Sequence, residues 1–171
     1  MRTTLTLKQK DKTVMFRGSS APEPLELLPQ VELFQGLNSA QVAELVELIQ
    51  YHQFNSGDVI FRQDSVGDQI YVIANGQVEI RIQDGNQTGY AAVYLGSGQV
   101  FGEMALIDQG PRSATVIAAE DGTQVYGFPI EAFNALCQRN TAIGYVLMRN
   151  LAQDLSFKLR HRHFDFPEAQ E

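Results

Sequence analysis

A chain of 171 residues, 44% apolar and 19% charged, is long enough to bury a core in one globular domain. Its formal charge of −7 and isoelectric point near 4.9 argue against a general nucleic-acid or membrane-surface binder. The single cysteine, Cys137, excludes an intramolecular disulfide and reads as a small apolar side chain on a helix. No apolar run is long enough to span a bilayer, and the N-terminus (Arg2, Lys8, Lys10, Lys12) lacks the apolar stretch of a signal peptide, so a soluble cytoplasmic protein is expected.

Residues 1–28 are weakly patterned and read as an N-terminal arm and linker. Thr3, Leu5 and Leu7 alternate like a short strand, Val14-Met15-Phe16 is a small apolar patch, and Gly18 to Pro24 is rich in turn formers. From residue 29 the chain reads as one domain, ending near 163 and followed by a short tail, 164–171. Asn38 or Ser39 can cap a helix in which Val42, Leu45, Val46 and Ile49 form an amphipathic stripe. From Tyr51 to Pro129, short apolar runs alternate with glycine turns, the texture of an antiparallel β body. Gly57-Asp58 precedes Val59-Ile60-Phe61. Gln69 to Ile73 is followed by Asn75-Gly76, a strong hairpin signal. Val78, Ile80 and Ile82 alternate with Gln77, Glu79 and Arg81, Asp84-Gly85-Asn86 turns again, and Tyr90 to Leu95 is a further strand. Ala114 to Ala119 and Gln124 to Phe128 close the set.

After Pro129 the period returns to helical. Phe133 and Leu136 mark one helix. Asn140-Thr141 can cap a longer one, in which Ile143, Leu147, Leu151, Leu155 and Leu159 recur every four residues. That stripe can pack on the β body or pair with a second copy. Lys158, Arg160, His161, Arg162 and His163 cluster at the helix end, where cations complement the dipole. His161 and His163 point apart at i, i+2, which disfavours a metal site, and no metal is expected.

The stretch from Phe101 to Val116 carries the chemistry. Gly102 lets backbone approach a ligand closely, and the next residues suit one or two helical turns whose N-terminus favours an anion. Pro111 fixes the backbone before Arg112, a permanently charged planar fork suited to phosphate. Glu103 adds an acceptor-only carboxylate. An acceptor beside a phosphate-binding arginine suits a ribose phosphate.

This stretch resembles the phosphate-binding cassette of the cyclic-nucleotide-binding domain family, in which Phe-Gly-Glu-small-Ala-Leu is followed by a spacer and Arg-small-Ala-Thr-Val. Leu33-Phe34-Gln35-Gly36-Leu37 is similar to that family's N-terminal Leu-Phe-x-Gly-Leu motif, and Gly57-Asp58, Ile70 to Ile73, Gly76, Val78 and Gly98 match its strand region. The resemblance covers about Leu27 to His161. It implies a mainly β fold, a jelly-roll-like double β-roll of eight strands flanked by N- and C-terminal α-helices, similar to the effector domain of catabolite-activator proteins. It implies that Arg112 binds a cyclic phosphate and Glu103 a ribose 2′-hydroxyl. Gly102, Met104 and Ala105 would lie against the ligand, and Ser113 would place a hydroxyl beside the phosphate. Arg160 or His161 would cover the base. Serine rather than threonine after the arginine favours cyclic AMP over cyclic GMP. One departure stands out: Gln63-Asp64 occupies the place of a frequent Gly-Glu or Glu-Gly pair.

The expected function is therefore a regulatory module that binds a cyclic mononucleotide and relays binding through its C-terminal helix, with a homodimer through that helix and a further protein partner of unknown identity. Phe164 to Glu171 is too short for a helix-turn-helix, so DNA is not an expected partner, nor is a membrane. The alternatives are a ligand-free β-roll scaffold or a fragment of a larger catabolite-activator-type regulator. No catalytic nucleophile, zinc spacing or Walker loop points to an enzyme.

Overall fold

The computed structural model describes residues 22–83 and 90–162, together with 7–9 and 12–14. For 7–9, 12–14, 83, 90–92, 161 and 162 it describes the backbone alone. Strands β1 (Leu7–Gln9) and β2 (Lys12–Val14) pair antiparallel. Helix α1 (Pro24–Leu27) and two 3-10 turns, Leu28–Gln30 and Glu32–Phe34, lead to α2 (Ser39–Val46). Pro24, Leu27 and Leu28, ahead of residue 29, are already buried. Asn38 caps α2 in a reciprocal box. Its Oδ1 accepts from Gln41 N–H at 3.0 Å, and Gln41 Oε1 accepts from Asn38 N–H at 2.9 Å. Val42, Leu45 and Val46 are buried on α2 as their spacing predicts, and Ile49, expected on the same helix, is buried just beyond its end.

Eight strands follow: β3 (Gln50–Phe54), β4 (Val59–Phe61), β5 (Gln69–Asn75), β6 (Gln77–Gln83), β7 (Tyr90–Gly96), β8 (Val100–Phe101), β9 (Thr115–Ala118) and β10 (Thr123–Pro129). Between β8 and β9 lies α3 (Met104–Asp108), and β10 is followed by α4 (Ile130–Arg139) and α5 (Thr141–Arg162). The eight strands form two four-stranded antiparallel sheets, ordered β3-β10-β5-β8 and β4-β9-β6-β7, the expected β-roll.

Strand β5 shows why its sequence is a continuous apolar run. Ile70, Val72 and Ala74 face the helices, while Tyr71 and Ile73 face the space between the sheets. The helix-side core includes Leu28, Phe34, Leu45, Phe128, Phe133 and Leu147; the inner core includes Val78, Phe101, Val116 and Val125.

Asn75-Gly76 is not a hairpin. β5 and β6 belong to different sheets, and Gly76 is the corner where the chain crosses between them. It adopts φ +86°, and a Cβ there would meet Thr123 Oγ1 at 2.7 Å and Thr123 Cα at 3.0 Å. The glycine answers to backbone crowding by β10, which local spacing cannot reveal. The genuine hairpin is β6–β7, registered from Gln77↔Gly96 to Gln83↔Tyr90; its Asp84-Gly85-Asn86 turn lies outside the described residues.

On α5, Ile143, Leu147 and Leu151 are buried in the helix-side core and Leu155 packs against it. The four-residue stripe therefore packs on its own domain in its first half. Tyr145 (69% exposed), Met148, Phe157 and Leu159 remain on the surface.

Candidate functional site

Arg112 lies in the wall of a cavity of about 150 Å³ that includes Phe61, Ile80, Leu95, Glu103, Ser113 and Lys158. Its placement begins with the backbone. Arg112 N–H donates to Ser65 O at 2.8 Å, and Asp64 N–H donates to Arg112 O at 2.9 Å, so the 62–65 turn holds the arginine from both sides. Asp64 takes φ +65° to do so, in the left-handed region that a glycine would enter freely. The Gln63-Asp64 departure thus leaves the turn in place, with an aspartate, which tolerates that region better than most residues.

Arg112 is only 3% exposed. Its Cζ sits 4.0 Å from the centre of the Phe61 ring and 5.8 Å from that of Tyr71. Phe61, Tyr71 and Phe101 pack as an aromatic cluster, with Tyr71 and Phe101 stacked at 5.0 Å. Nη1 donates to Gly102 O at 3.2 Å, and Nη2 lies 3.4 Å from Oδ1 of the largely exposed Asp68. Nε is buried and has no hydrogen-bond partner among the described residues. Burial pulls the arginine pKa below its ordinary value, with Tyr71 and Asp68 pushing back. A buried guanidinium with an open N–H beside a cavity can accommodate an acceptor there.

Gly102 (φ +79°) brings the backbone close to this group. Glu103, 9% exposed, precedes the five-residue α3. Ala105 is buried, whereas Met104 and Ser113 are exposed at the rim; all three line the cavity. The six cassette residues Gly102, Glu103, Met104, Ala105, Arg112 and Ser113 are thus brought together around one cavity.

The helix residue that reaches this cavity is Lys158. Its Nζ donates to Glu103 Oε1 at 2.8 Å and lies 2.7 Å from Asp154 Oδ2. Burial works against its charge, but Glu103 and Asp154 outweigh burial and raise its pKa above the ordinary lysine value. Arg160 is exposed and lines a separate surface hollow with Arg149, Gln153 and Phe157, away from the cassette. The side chain of His161 lies outside the described residues.

Gly67, Asp68, Phe61, Tyr71 and Lys158 carry no local signal for this site in the sequence. Gly67 is the most telling: a Cβ there would collide with Ala105 Cβ and come within 3.5 Å of Arg112 Cζ and Nε. Among the described residues, no cluster of three or more His, Cys, Asp or Glu can hold a metal ion, and no helix is long and apolar enough to cross a membrane.

The fold is an eight-stranded β-roll that sets a buried arginine and a buried glutamate on one cavity. The sequence matches the cyclic nucleotide-binding domain family over residues 51–140, more than half of the chain. The chain belongs to that family. It is 36% identical over 124 residues to a cyclic AMP receptor protein of Thermus thermophilus, covering 72% of this chain and 56% of that one. It is 43% identical over 96 residues to a cyclic nucleotide-gated potassium channel of Rhizobium etli, covering 56% of this chain and 25% of the channel. The crystal structure of the Thermus thermophilus catabolite activator protein superposes with a TM-score of 0.69 at 31% identity, covering 78% of this chain and 61% of that one. The chain therefore spans a quarter to somewhat over half of the length of these curated relatives.

Proposed function

We propose that this domain is a regulatory sensor that binds a cyclic mononucleotide, cyclic AMP in preference to cyclic GMP, and transmits occupancy through α5. The observation that supports this reading is the buried Nε of Arg112, which has no acceptor among the described residues. A cyclic phosphate supplies the missing acceptor in a charge-assisted, two-pronged contact. Glu103 takes the ribose 2′-hydroxyl, Gly102, Met104 and Ala105 pack against the sugar phosphate, and the Ser113 hydroxyl adds to phosphate binding. The apolar wall of Ile80, Leu95 and Val116 suits the face of a purine. The preference for cyclic AMP rests on Ser113 and on the name of the Thermus relative.

The role is that of a binding module rather than an enzyme. Its ionisable groups, Arg112, Glu103 and Lys158, are arranged as ion pairs and anion contacts, with no nucleophile beside a base. No metal is required. DNA and membrane surfaces are not direct partners of an acidic domain of this kind. A second copy is a partner: Tyr145, Met148, Ala152 and Leu159 form an exposed stripe along α5 at heptad spacing. The partner that reads the signal is a further protein.

Isothermal titration of the purified, nucleotide-free protein with cyclic AMP, cyclic GMP and a cyclic dinucleotide tests the reading. Binding of cyclic AMP more tightly than of the other two is expected. Absence of binding by any of them at millimolar concentration would replace the sensor with a ligand-free scaffold.

A further inference from the structure

The outer face of α5 is basic and aromatic. Arg149, Ala152, Gln153, Ser156, Phe157 and Arg160 line a surface hollow of about 520 Å³. All six are exposed, and Phe157 keeps 62% of its surface open. Arg149 and Arg160 are eleven positions apart, which puts them on one face of the helix, separated by about 16 Å along its axis. Lys158 points the other way, toward Glu103 and Asp154. Neither arginine is ion-paired among the described residues, and no carboxylate among them lines the hollow. On a chain of net charge −7, this is a patch of uncompensated positive charge.

The sequence just beyond α5 is the complement of that face. Phe164-Asp165-Phe166-Pro167-Glu168-Ala169-Gln170-Glu171 holds three carboxylates, two phenylalanines and no cation. This segment lies outside the described residues. Its dimensions suit the arginines. Extended, Asp165 to Glu168 spans about 10 Å and Asp165 to Glu171 about 20 Å, which brackets the arginine separation. From Arg162, the last residue of α5, the chain to Asp165 can cover about 10 Å, enough to cross the helix end.

We infer that this face of α5 is a docking site for an acidic, aromatic segment, and that the chain's own residues 164–171 fill it by turning back along the helix. Each arginine offers a planar fork to one carboxylate. Phe166, between the carboxylates, packs on Phe157. One exposed ion pair alone contributes little. Here two pairs and a ring contact act together, and the short tether holds the segment at an effective concentration on the order of millimolar. The tether favours the chain's own segment over that of a second copy. An outside acidic peptide reaches this face only by displacing the docked segment. Neither Arg112 nor Glu103 takes part, so the contact is independent of the sensor reading.

The chain has no tryptophan, so Phe166→Trp in the full chain places a single fluorescent reporter in the segment. Its emission is expected to be blue-shifted, and its quenching by acrylamide severalfold weaker, relative to the same chain carrying Arg149→Glu and Arg160→Glu. Asp165→Arg with Glu168→Arg, which alters nothing on α5, is expected to expose the reporter to the same extent. Combining all four reversals restores opposite charges and is expected to restore protection. Added salt should weaken the protection, as for any exposed charge contact. Equal quenching in all these chains overturns the docking. Protection that rises with protein concentration overturns the assignment to the chain's own segment and gives the face to that of a second copy.

Discussion

A methyl group on Gly102 would lie 2.7 Å from Nη1 of Arg112, the same atom that donates to the Gly102 carbonyl at 3.2 Å. Two independent demands thus fall on one glycine: a φ of +79° and room for the guanidinium. Gly102→Ala is expected to cost about 1–2 kcal/mol of stability from the backbone alone and to displace the arginine, weakening nucleotide binding about tenfold or more. Gly57 separates the two effects. It has φ +89° with nothing within 4 Å of a Cβ, so Gly57→Ala should lose comparable stability and keep binding intact. Urea unfolding and calorimetry on both variants check this contrast.

Arg112 presents both a charge and a fork, and two substitutions tell them apart. Arg112→Lys keeps the charge but lacks the Nε donor and the planar geometry; it should weaken cyclic AMP binding by about 1.5–3 kcal/mol. Arg112→Leu should remove about 2–5 kcal/mol, close to abolishing binding. The leucine meets the Phe61, Tyr71 and Phe101 cluster without a buried unpaired charge, so circular dichroism should report a retained fold. Wild-type affinity in Arg112→Lys would mean that the fork is not used.

The direction in which each α5 side chain points sets the assembly test. Leu151 is 3% exposed and belongs to the core, so Leu151→Glu should unfold the domain, at a cost on the order of 4 kcal/mol or more. Tyr145 and Met148 lie on the surface, so Tyr145→Glu with Met148→Glu should give a folded monomer from a wild-type dimer. Light scattering at tens of micromolar, the range of a weak interface, decides the matter; a monomeric wild type removes the interface.

What the sequence revealed follows how local each feature is. The α2 cap, the β5 run and the cassette are contiguous, and their residue types constrain one another within a few positions. Gly102, Glu103 and Arg112 could be singled out because backbone freedom, an acceptor and a fork recur within a dozen residues. The Asn75-Gly76 corner misled because its glycine is required by Thr123, far along the chain on β10. Phe61, Gly67 and Tyr71 support Arg112 only after β4 and β5 are assembled into facing sheets. Lys158 was indistinguishable from other cations at a helix end until the turn of α5 aimed it at Glu103. On that helix, spacing identified an apolar stripe, but only packing shows that Leu151 faces inward while Tyr145 faces out.

Asp64 marks a place where the chain departs from a glycine and still makes the turn. At φ +65°, a β-branched side chain is strained where aspartate is tolerated. Asp64→Val should destabilise by about 1–2 kcal/mol and weaken binding, because the Asp64 N–H to Arg112 O bond of 2.9 Å is part of what sets the arginine. Asp64→Gly should change stability by less than about 1 kcal/mol, since relief in the folded state is offset by greater freedom in the unfolded chain. Urea midpoints for the two variants should therefore diverge in this order; equal midpoints would show that the left-handed turn is not strained.

Glu103 can be tested through the ligand itself. A 3′,5′-cyclic nucleotide has a free 2′-hydroxyl, and a carboxylate beside the phosphate site can accept its proton in a charge-assisted bond. The wild type should therefore prefer cyclic AMP to its 2′-deoxy analogue by about 1.5–3 kcal/mol, roughly ten- to a hundredfold. Glu103→Ala removes the acceptor, and that preference should collapse while Arg112 still holds the phosphate. If Glu103 served only to dock α5 through Lys158, the substitution would weaken both ligands by the same factor and leave their ratio unchanged. The double comparison of protein and ligand isolates the hydroxyl contact from any loosening of the helix. Equal wild-type affinity for the two nucleotides would refute the ribose role of Glu103, whatever the affinity for cyclic AMP.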